Sequence, residues 1–318
     1  MNDAASLSPI EVTPRDLSAY RNGNTGIDYV HRFDSGVTGP AVVAVALTHG
    51  NEFCGMTALT WMLEHDVRPK RGSMTLAFAN VAAYERFDPS RPFESRFIDR
   101  DLNRAWTDAI MADDTKSTEA RRARELRPVV HAADALIDLH STAYPCASML
   151  VLGDLAKSRR LAAELREPLT HIVSPKGKHQ GGLLFEYGRF GREDDDAVAI
   201  AVECGQHFAR RSGEVAIQAA LRFLRQFDVI DRALAERHLE PPAAGEPTTY
   251  RITEVVTVKG EGARFVRPLV GFEEFAKGEL IGFDGAAEVR APYDRCAAIM
   301  PRAVIVPGRE MVSLGQRL

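Results

Sequence analysis

His49 and Glu52 stand three residues apart, directly after the apolar run 41–47 (AVVAVAL), while His140 follows the run 135–139 and Glu203 follows 198–202 (VAIAV). Two imidazoles and a carboxylate suit Zn²⁺, because a catalytic zinc characteristically takes three protein ligands and keeps a fourth position for water. That set leaves Glu203 spare to act as a base. Singly, each group has an ordinary explanation: a His and a Glu in a turn after a strand often act as caps, a lone histidine is often a hydrogen-bonded core residue, and a lone glutamate a paired structural carboxylate. Jointly they are harder to explain as packing. Three apolar runs each end in an ionisable side chain, whose burial is costly unless it is paired or bound to a metal. Asp138, two residues before His140, shares its face of the strand and can either orient the imidazole or pair with a nearby arginine. His207 is the weaker histidine, since no strand presents it at the same edge, and 179–182 (HQGG) reads as loop.

These groups need a scaffold that brings strand ends together. Run 41–47 reads as a buried strand from its length and β-branched content. Met56, Leu59 and Leu63 give the next helix one buried face, and that helix must end before Pro69. Strands follow at 74–79, 135–139 and 198–202. A helix is expected over 117–133, with Pro128 kinking it or starting a second piece, and another carries Ile217, Ala220, Leu221 and Leu224 on its inner stripe. This alternation predicts an α/β fold, a mixed and mostly parallel sheet covered by helices. In an open sheet of that kind ligands bind beyond the carboxyl ends of the strands, so residues distant in sequence can converge. The Pro- and Gly-rich stretch 240–249 (EPPAAGEPTT) reads as a linker, which divides the chain into an α/β domain at 1–240 and a small all-β domain at 246–318.

Composition narrows the function. The 318 residues are 45% hydrophobic and 26% charged, and 40 Lys and Arg against 44 Asp and Glu give a net charge of −4, so no basic excess argues for nucleic acid or an anionic membrane surface. The longest aliphatic run, seven residues, is far short of the roughly 20 a membrane-spanning helix needs. The N-terminal residues lack both a basic and an apolar signal region, so the expected compartment is cytoplasmic. Cys54, Cys146, Cys204 and Cys296 are spaced 58 or 92 apart, with no CxxC pair, and read as buried or neutral thiols. The acidic run 193–196 (EDDD) reads as a solvated loop. A homo-oligomer remains open.

Four ordered motifs, T-H-G-N-E at 48–52, R-F-I-D-R-D-L-N-R at 96–104, D-L-H-S-T at 138–142 and V-E-C-G at 202–205, resemble the succinylglutamate desuccinylase and aspartoacylase family of zinc amidohydrolases, relatives of the zinc carboxypeptidases. The C-terminal V-P-G-R-E-M-V-S-L-G at 306–315 is similar to that family's C-terminal domain, so the resemblance covers most of the chain. It implies one Zn²⁺ per chain on His49, Glu52 and His140, with Glu203 as the base that activates water. It also implies Arg96 polarising the scissile carbonyl, and Asn103 with Arg104 holding a substrate carboxylate. The family's further arginine, which grips an acidic side chain, falls near Arg189 and Arg192 without a clean match, Ser141 stands where aspartoacylases carry Asn, and Tyr293 is a further candidate from the β domain. The implied activity is deacylation of an N-acyl amino acid with an acidic part. A zinc carboxypeptidase acting on short peptides and a non-catalytic binder of acidic metabolites are the alternatives; retention of all three ligands and the base favours an enzyme.

Overall fold

The computed structural model describes residues 9–113, 116–302 and 304–318; the first eight residues, on which part of the leader expectation rests, lie outside it. The elements run β1 (Val30–Asp34), β2 (Ala41–Ala46), α1 (Phe53–Glu64), β3 (Ser73–Phe78), α2 (Val81–Tyr84), α3 (Asp108–Asp113), α4 (Thr118–Ala132), β4 (Ala135–Thr142), β5 (Met149–Gly153), α5 (Ala156–Leu165), β6 (Thr170–Ser174), β7 (Val198–Gln206), α6 (Arg210–Gln226) and α7 (Arg232–His238). Beyond the linker come β8 (Thr248–Thr257), β9 (Arg264–Phe265), β10 (Glu274–Phe275), β11 (Leu280–Asp284), β12 (Ala287–Arg290), β13 (Cys296–Ile299) and β14 (Glu310–Arg317).

Among the described residues, eleven strands form one sheet in the order β1-β3-β2-β4-β7-β5-β6-β8-β14-β13-β10. Its centre is parallel across β3, β2, β4 and β7, while β1 runs antiparallel to β3 and β5 antiparallel to β7 but parallel to β6. The central strands read as unbroken apolar runs because both faces are covered. Val42, Ala44 and Ala46 of β2 pack with α1 and α6 in one core, and Val43 and Val45 pack with Leu126 and Val130 of α4 and with Trp106 in the other. The same alternation in β4 sends Ile137 and Leu139 to the first core and Leu136 to the second, so Asp138 and His140 leave the sheet on the second face.

Helix α1 lies so close to the sheet that a Cβ on Gly55 would sit 2.7 Å from the Ala46 Cβ and 3.1 Å from the Leu139 Cβ. Both are Cβ atoms, which no change of rotamer can move. Gly55→Ala is therefore expected to cost about 1–3 kcal/mol despite the better helix propensity of alanine, read as a lower midpoint in urea unfolding at unchanged slope.

Two expectations are corrected. Pro128 lies inside a single continuous helix α4 and starts no second piece. It is exposed and close to the C-terminal end, so the absent N–H removes one hydrogen bond from a ladder about to stop. The C-terminal strands, expected as a separate unit, are hydrogen-bonded into the main sheet. Residues 239–247 hold no helix or strand, yet β8 pairs in parallel with β6 at Ile172↔Tyr250, and β14, β13 and β10 follow antiparallel. A smaller β12-β11-β9 sheet and a third apolar core around Phe275, Ile281 and Met311 complete this part. No helix among the described residues is long and apolar enough to cross a membrane.

Candidate active site

Strand register does the first part of the positioning. β4 and β7 pair in parallel with His140 opposite Glu203, so the two side chains rise from one face of the sheet near the carboxyl ends of adjacent strands. His49 arrives from the next strand over. Leu47, at φ 57°, turns the chain off β2, and Gly50 N donates to Arg96 O at 3.0 Å. A Cβ on Gly50 would lie 2.4 Å from Ser95 O and 2.5 Å from Tyr84 N, so this turn can be wedged between its neighbours only because the residue is glycine.

Glu52 occupies the N-cap position of α1 but makes no side-chain cap bond. Its carboxylate turns inward instead. Oε1 lies 2.8 Å from His49 Nδ1 and accepts from Arg96 Nη1 at 3.0 Å, while Oε2 lies 2.9 Å from His140 Nδ1 and accepts from Ser141 N at 3.1 Å. Each imidazole is backed on its far side by a second carboxylate. Asp138 Oδ2 lies 2.7 Å from His140 Nε2 and its Oδ1 accepts from Thr48 Oγ1 at 2.8 Å, which places Asp138 on the imidazole rather than on an arginine. Asp101 Oδ1 lies 2.9 Å from His49 Nε2, and its Oδ2 accepts from Arg96 Nη2 at 3.3 Å. Sequence reading missed Asp101, although a carboxylate five residues after Arg96 in the same motif was the available signal.

His49, Glu52 and His140 are all buried, and one ligand atom from each falls within 4.8 Å of the others. The donor set fits a divalent cation: both Nδ1 atoms point at one carboxylate, and both Nε2 atoms have carboxylate partners that fix the ring orientation. His140 sits between two carboxylates, whereas His49 Nε2 lies 2.9 Å from both Asp101 Oδ1 and Arg96 Nη2. Burial opposes the charge on His140, yet Asp138 and Glu52 together raise its pKa well above the usual histidine value. Burial likewise pushes the Glu52 acid up, but the charges of His49 and His140 and their hydrogen bonds hold it well below the ordinary carboxylate range. Both shifts come from oppositely charged groups packed together out of solvent.

Glu203 is the contrasting group. Its Oε2 is shielded from solvent and has no hydrogen-bond partner among the described residues. Burial pushes its pKa up to about 8; the His140 charge pulls it down and the Glu52 carboxylate pushes it further up. A carboxyl so poised can hold or release a proton near neutrality.

The motif at 96–104 is anchored from behind. Glu119 on α4, fully buried, accepts from three consecutive backbone amides, Ile98 N at 2.7 Å and Asp99 N and Arg100 N at 3.1 Å, and from Asn80 Nδ2 at 3.1 Å. The loop that delivers Arg96 and Asp101 is thereby fixed by one carboxylate. Glu119→Gln is expected to lower stability by about 1.5–3 kcal/mol, through weaker charge-assisted bonds. It should also lower kcat about tenfold through a looser Arg96, with KM little changed; unfolding and steady-state kinetics on one preparation check both.

The remaining candidates divide. Asn103 Oδ1 accepts from Leu184 N at 3.0 Å, and Arg104 Nη2 faces both oxygens of Glu310 at 3.0 and 2.9 Å. His207, discounted from the sequence, is buried beside the site with Nδ1 2.8 Å from Ser141 Oγ, and burial pushes its pKa down to about 3. Tyr293 instead packs in the third core with its hydroxyl 2.6 Å from Thr253 Oγ1. Arg189 and Arg192 are not at the site. Arg189 binds Asp195 at 3.1 Å and Ala133 O at 3.3 Å, and Arg192 binds Asp194 at 2.8 Å. Ala133 precedes β4, so Arg189 lies at the amino end of the strands, roughly 20 Å along β4 from His140. The acidic run 193–196 holds both arginines there, so that run is partly ion-paired rather than merely solvated.

Fold and site together define an α/β protein with a buried His-Glu-His cluster at the carboxyl ends of parallel strands, next to a glutamate whose Oε2 has no hydrogen-bond partner among the described residues. A model of the succinylglutamate desuccinylase/aspartoacylase catalytic domain matches residues 38–226, more than half of the chain, and the chain belongs to that family. It is 33% identical over 158 residues to a probable aspartoacylase of Parasynechococcus marenigrum (strain WH8102), covering 46% of this chain and 49% of that one. It is 36% identical over 110 residues to an N-acyl-aromatic-L-amino acid amidohydrolase (carboxylate-forming) of Xenopus laevis, covering 32% and 34%. The matches thus span about half of the first curated relative and about a third of the second. In fold the chain is similar to a succinylglutamate desuccinylase from Vibrio cholerae (TM-score 0.66, 19% identity, 92% of this chain and 86% of that one). A succinylglutamate desuccinylase/aspartoacylase from Rhodobacter sphaeroides is also similar (TM-score 0.61, 19% identity, 91% and 88%).

Proposed function

We propose that this chain is a zinc-dependent amidohydrolase that cleaves the amide bond of an N-acyl amino acid. The observation that carries the reading is the convergence of His49, Glu52 and His140 beside a glutamate whose Oε2 has no hydrogen-bond partner among the described residues. A zinc ion held by those three side chains would supply a Lewis acid for the scissile carbonyl and lower the pKa of water to about 7. Glu203 Oε2 then takes a proton from the attacking water and passes it to the nitrogen of the departing amino acid, which must leave as an amine. Arg96, fixed by Glu52 and Asp101, keeps its guanidinium at the site to stabilise the oxygen that becomes negative. Asp138 and Asp101 hold the imidazoles in one orientation. An acidic side chain on the substrate loses its support, because the arginines expected to bind it lie at the other end of the sheet.

The test is a hydrolysis screen of zinc-loaded protein on N-acetyl, N-formyl and N-succinyl amino acids beside short peptides, with metal analysis of the same preparation. One zinc per chain and release of the free amino acid are expected. Turnover of peptides alone would point to a carboxypeptidase, and tight binding of N-acyl amino acids without turnover to a binding protein.

A further inference from the structure

Glu310, the first residue of β14, lies among three donors from three distant segments: Arg104 Nη2 at 3.0 and 2.9 Å, Arg302 Nη2 at 2.9 Å and His179 Nδ1 at 2.8 Å. Its side chain is mostly buried, and burial would raise its pKa, but the His179 hydrogen bond and the charges of Arg104 and Arg302 hold it far below the carboxylate range. It is therefore a fixed negative charge.

That charge changes what Arg104 can do. Its Nη2 already faces both oxygens of an internal carboxylate, and its Nη1 donates to Asn103 O at 3.0 Å. A substrate carboxylate reaching Arg104 would compete with Glu310 for a buried fork. Arg302 is differently placed. Among the described residues it gives Glu310 only Nη2, its Nε and Nη1 make no hydrogen bond, and it is the most exposed of the four side chains at 32%. Two guanidiniums around one carboxylate leave one positive charge uncompensated, and it resides on the member whose donors are free. Through Glu310, Arg302 is joined to Arg104, three residues after Asp101 in the loop that brings Arg96 and Asp101 to the cluster.

We propose that Arg302, brought from the C-terminal strands and held in place by Glu310, is the residue that binds the carboxylate of the substrate. Resting on the amidohydrolase reading, the assignment makes the C-terminal segment part of the active site. Glu310 acts as a positioning residue that fixes Nη2 and leaves Nε and Nη1 free for a carboxylate.

The experiment compares N-acetylglycine with N-acetylglycinamide, which lacks the carboxylate, on zinc-loaded wild-type and Arg302→Gln protein. Calorimetric binding in a Glu203→Gln background gives a readout independent of turnover. Wild type is expected to favour the acid over the amide by about 10–100-fold, the range of a charge-assisted fork, and Arg302→Gln to bring that ratio near one through KM rather than kcat. Arg302→Lys should restore part of the preference. An unchanged ratio in Arg302→Gln, an equal loss on both ligands, or no binding of either ligand to wild type overturns the assignment. Arg302-dependent preference without any hydrolysis would overturn the amidohydrolase reading and leave the assignment standing; hydrolysis with an unchanged ratio would do the reverse.

Discussion

Replacing Glu203 by Gln is expected to lower turnover of an N-acyl amino acid by about 10²–10⁴-fold, the contribution of a positioned general base, while zinc stays at one per chain. The amide keeps the shape of the side chain, and Glu203 Oε2 makes no hydrogen bond to either imidazole, so metal content separates a lost base from a lost ligand set. The same substitution has a second signature in the chelator-treated protein. Glu203 titrates at about 8 when folded against 4.5 ordinarily, so the folded state holds its proton more tightly than the unfolded chain does. Its proton-linked stability is present in full below about pH 4.5 and declines as pH rises through 8, with a limiting slope of about 1.4 kcal/mol per pH unit. Glu203→Gln cannot ionise. Its denaturant midpoint should lie above that of wild type at pH 8.5 and close to it at pH 4.5; parallel wild-type and variant curves would show that the carboxyl is not held protonated by burial.

How far the sequence revealed this site depends on what kind of constraint placed each residue. His49, His140 and Glu203 were legible because apolar runs seldom end in ionisable groups, and a parallel sheet brings such ends together. Pairing of Glu52 with both rings was only partly legible, since its N-cap position allowed a capping role that the observed geometry does not use. Asp101, Glu119 and Glu310 escaped notice: a carboxylate's partners come from tertiary approach, and nothing local distinguishes Glu119, bound to three amides, from a solvated helix acid. The placing of Arg189 and Arg192 failed for another reason. Both residues precede the strand that starts at Val198 and so adjoin its amino end, whereas Glu203 lies towards its carboxyl end, a consequence the sequence already carried. In the fold, β2, β3, β4 and β7 declared themselves by burial on both faces. The five-residue strands β1, β5 and β6 carry too short a pattern to be separated from loop. The linker was visible as composition, but composition could not show that β8 would dock on β6 and extend the sheet.

Glu52 carries the other large expected effect, because one buried carboxylate faces four groups: Arg96 Nη1, both imidazole Nδ1 atoms and the Ser141 amide. Glu52→Ala leaves Arg96 Nη1, both Nδ1 positions and the Ser141 amide facing a void, with Arg96 still paired to Asp101, and removing one partner of a buried ion pair is more costly than the pair is worth. The expected loss is about 3–5 kcal/mol in the metal-free protein, with no zinc retained after dialysis and no measurable hydrolysis. Glu52→Gln separates the two roles of the residue. The amide oxygen can still accept from Arg96 or Ser141, and its NH2 can donate to an imidazole whose Nε2–H is directed at Asp138 or Asp101, so the fold should hold to within about 1–2 kcal/mol. The charge is gone, however, and two neutral rings with an amide are a poor set for a divalent ion. Zinc affinity and turnover should therefore fall together in Glu52→Gln while the unfolding midpoint moves little. If zinc instead remains bound at wild-type affinity in a folded Glu52→Gln protein, the carboxylate is a structural brace for Arg96 and the histidines rather than a ligand, and the metal must be held elsewhere.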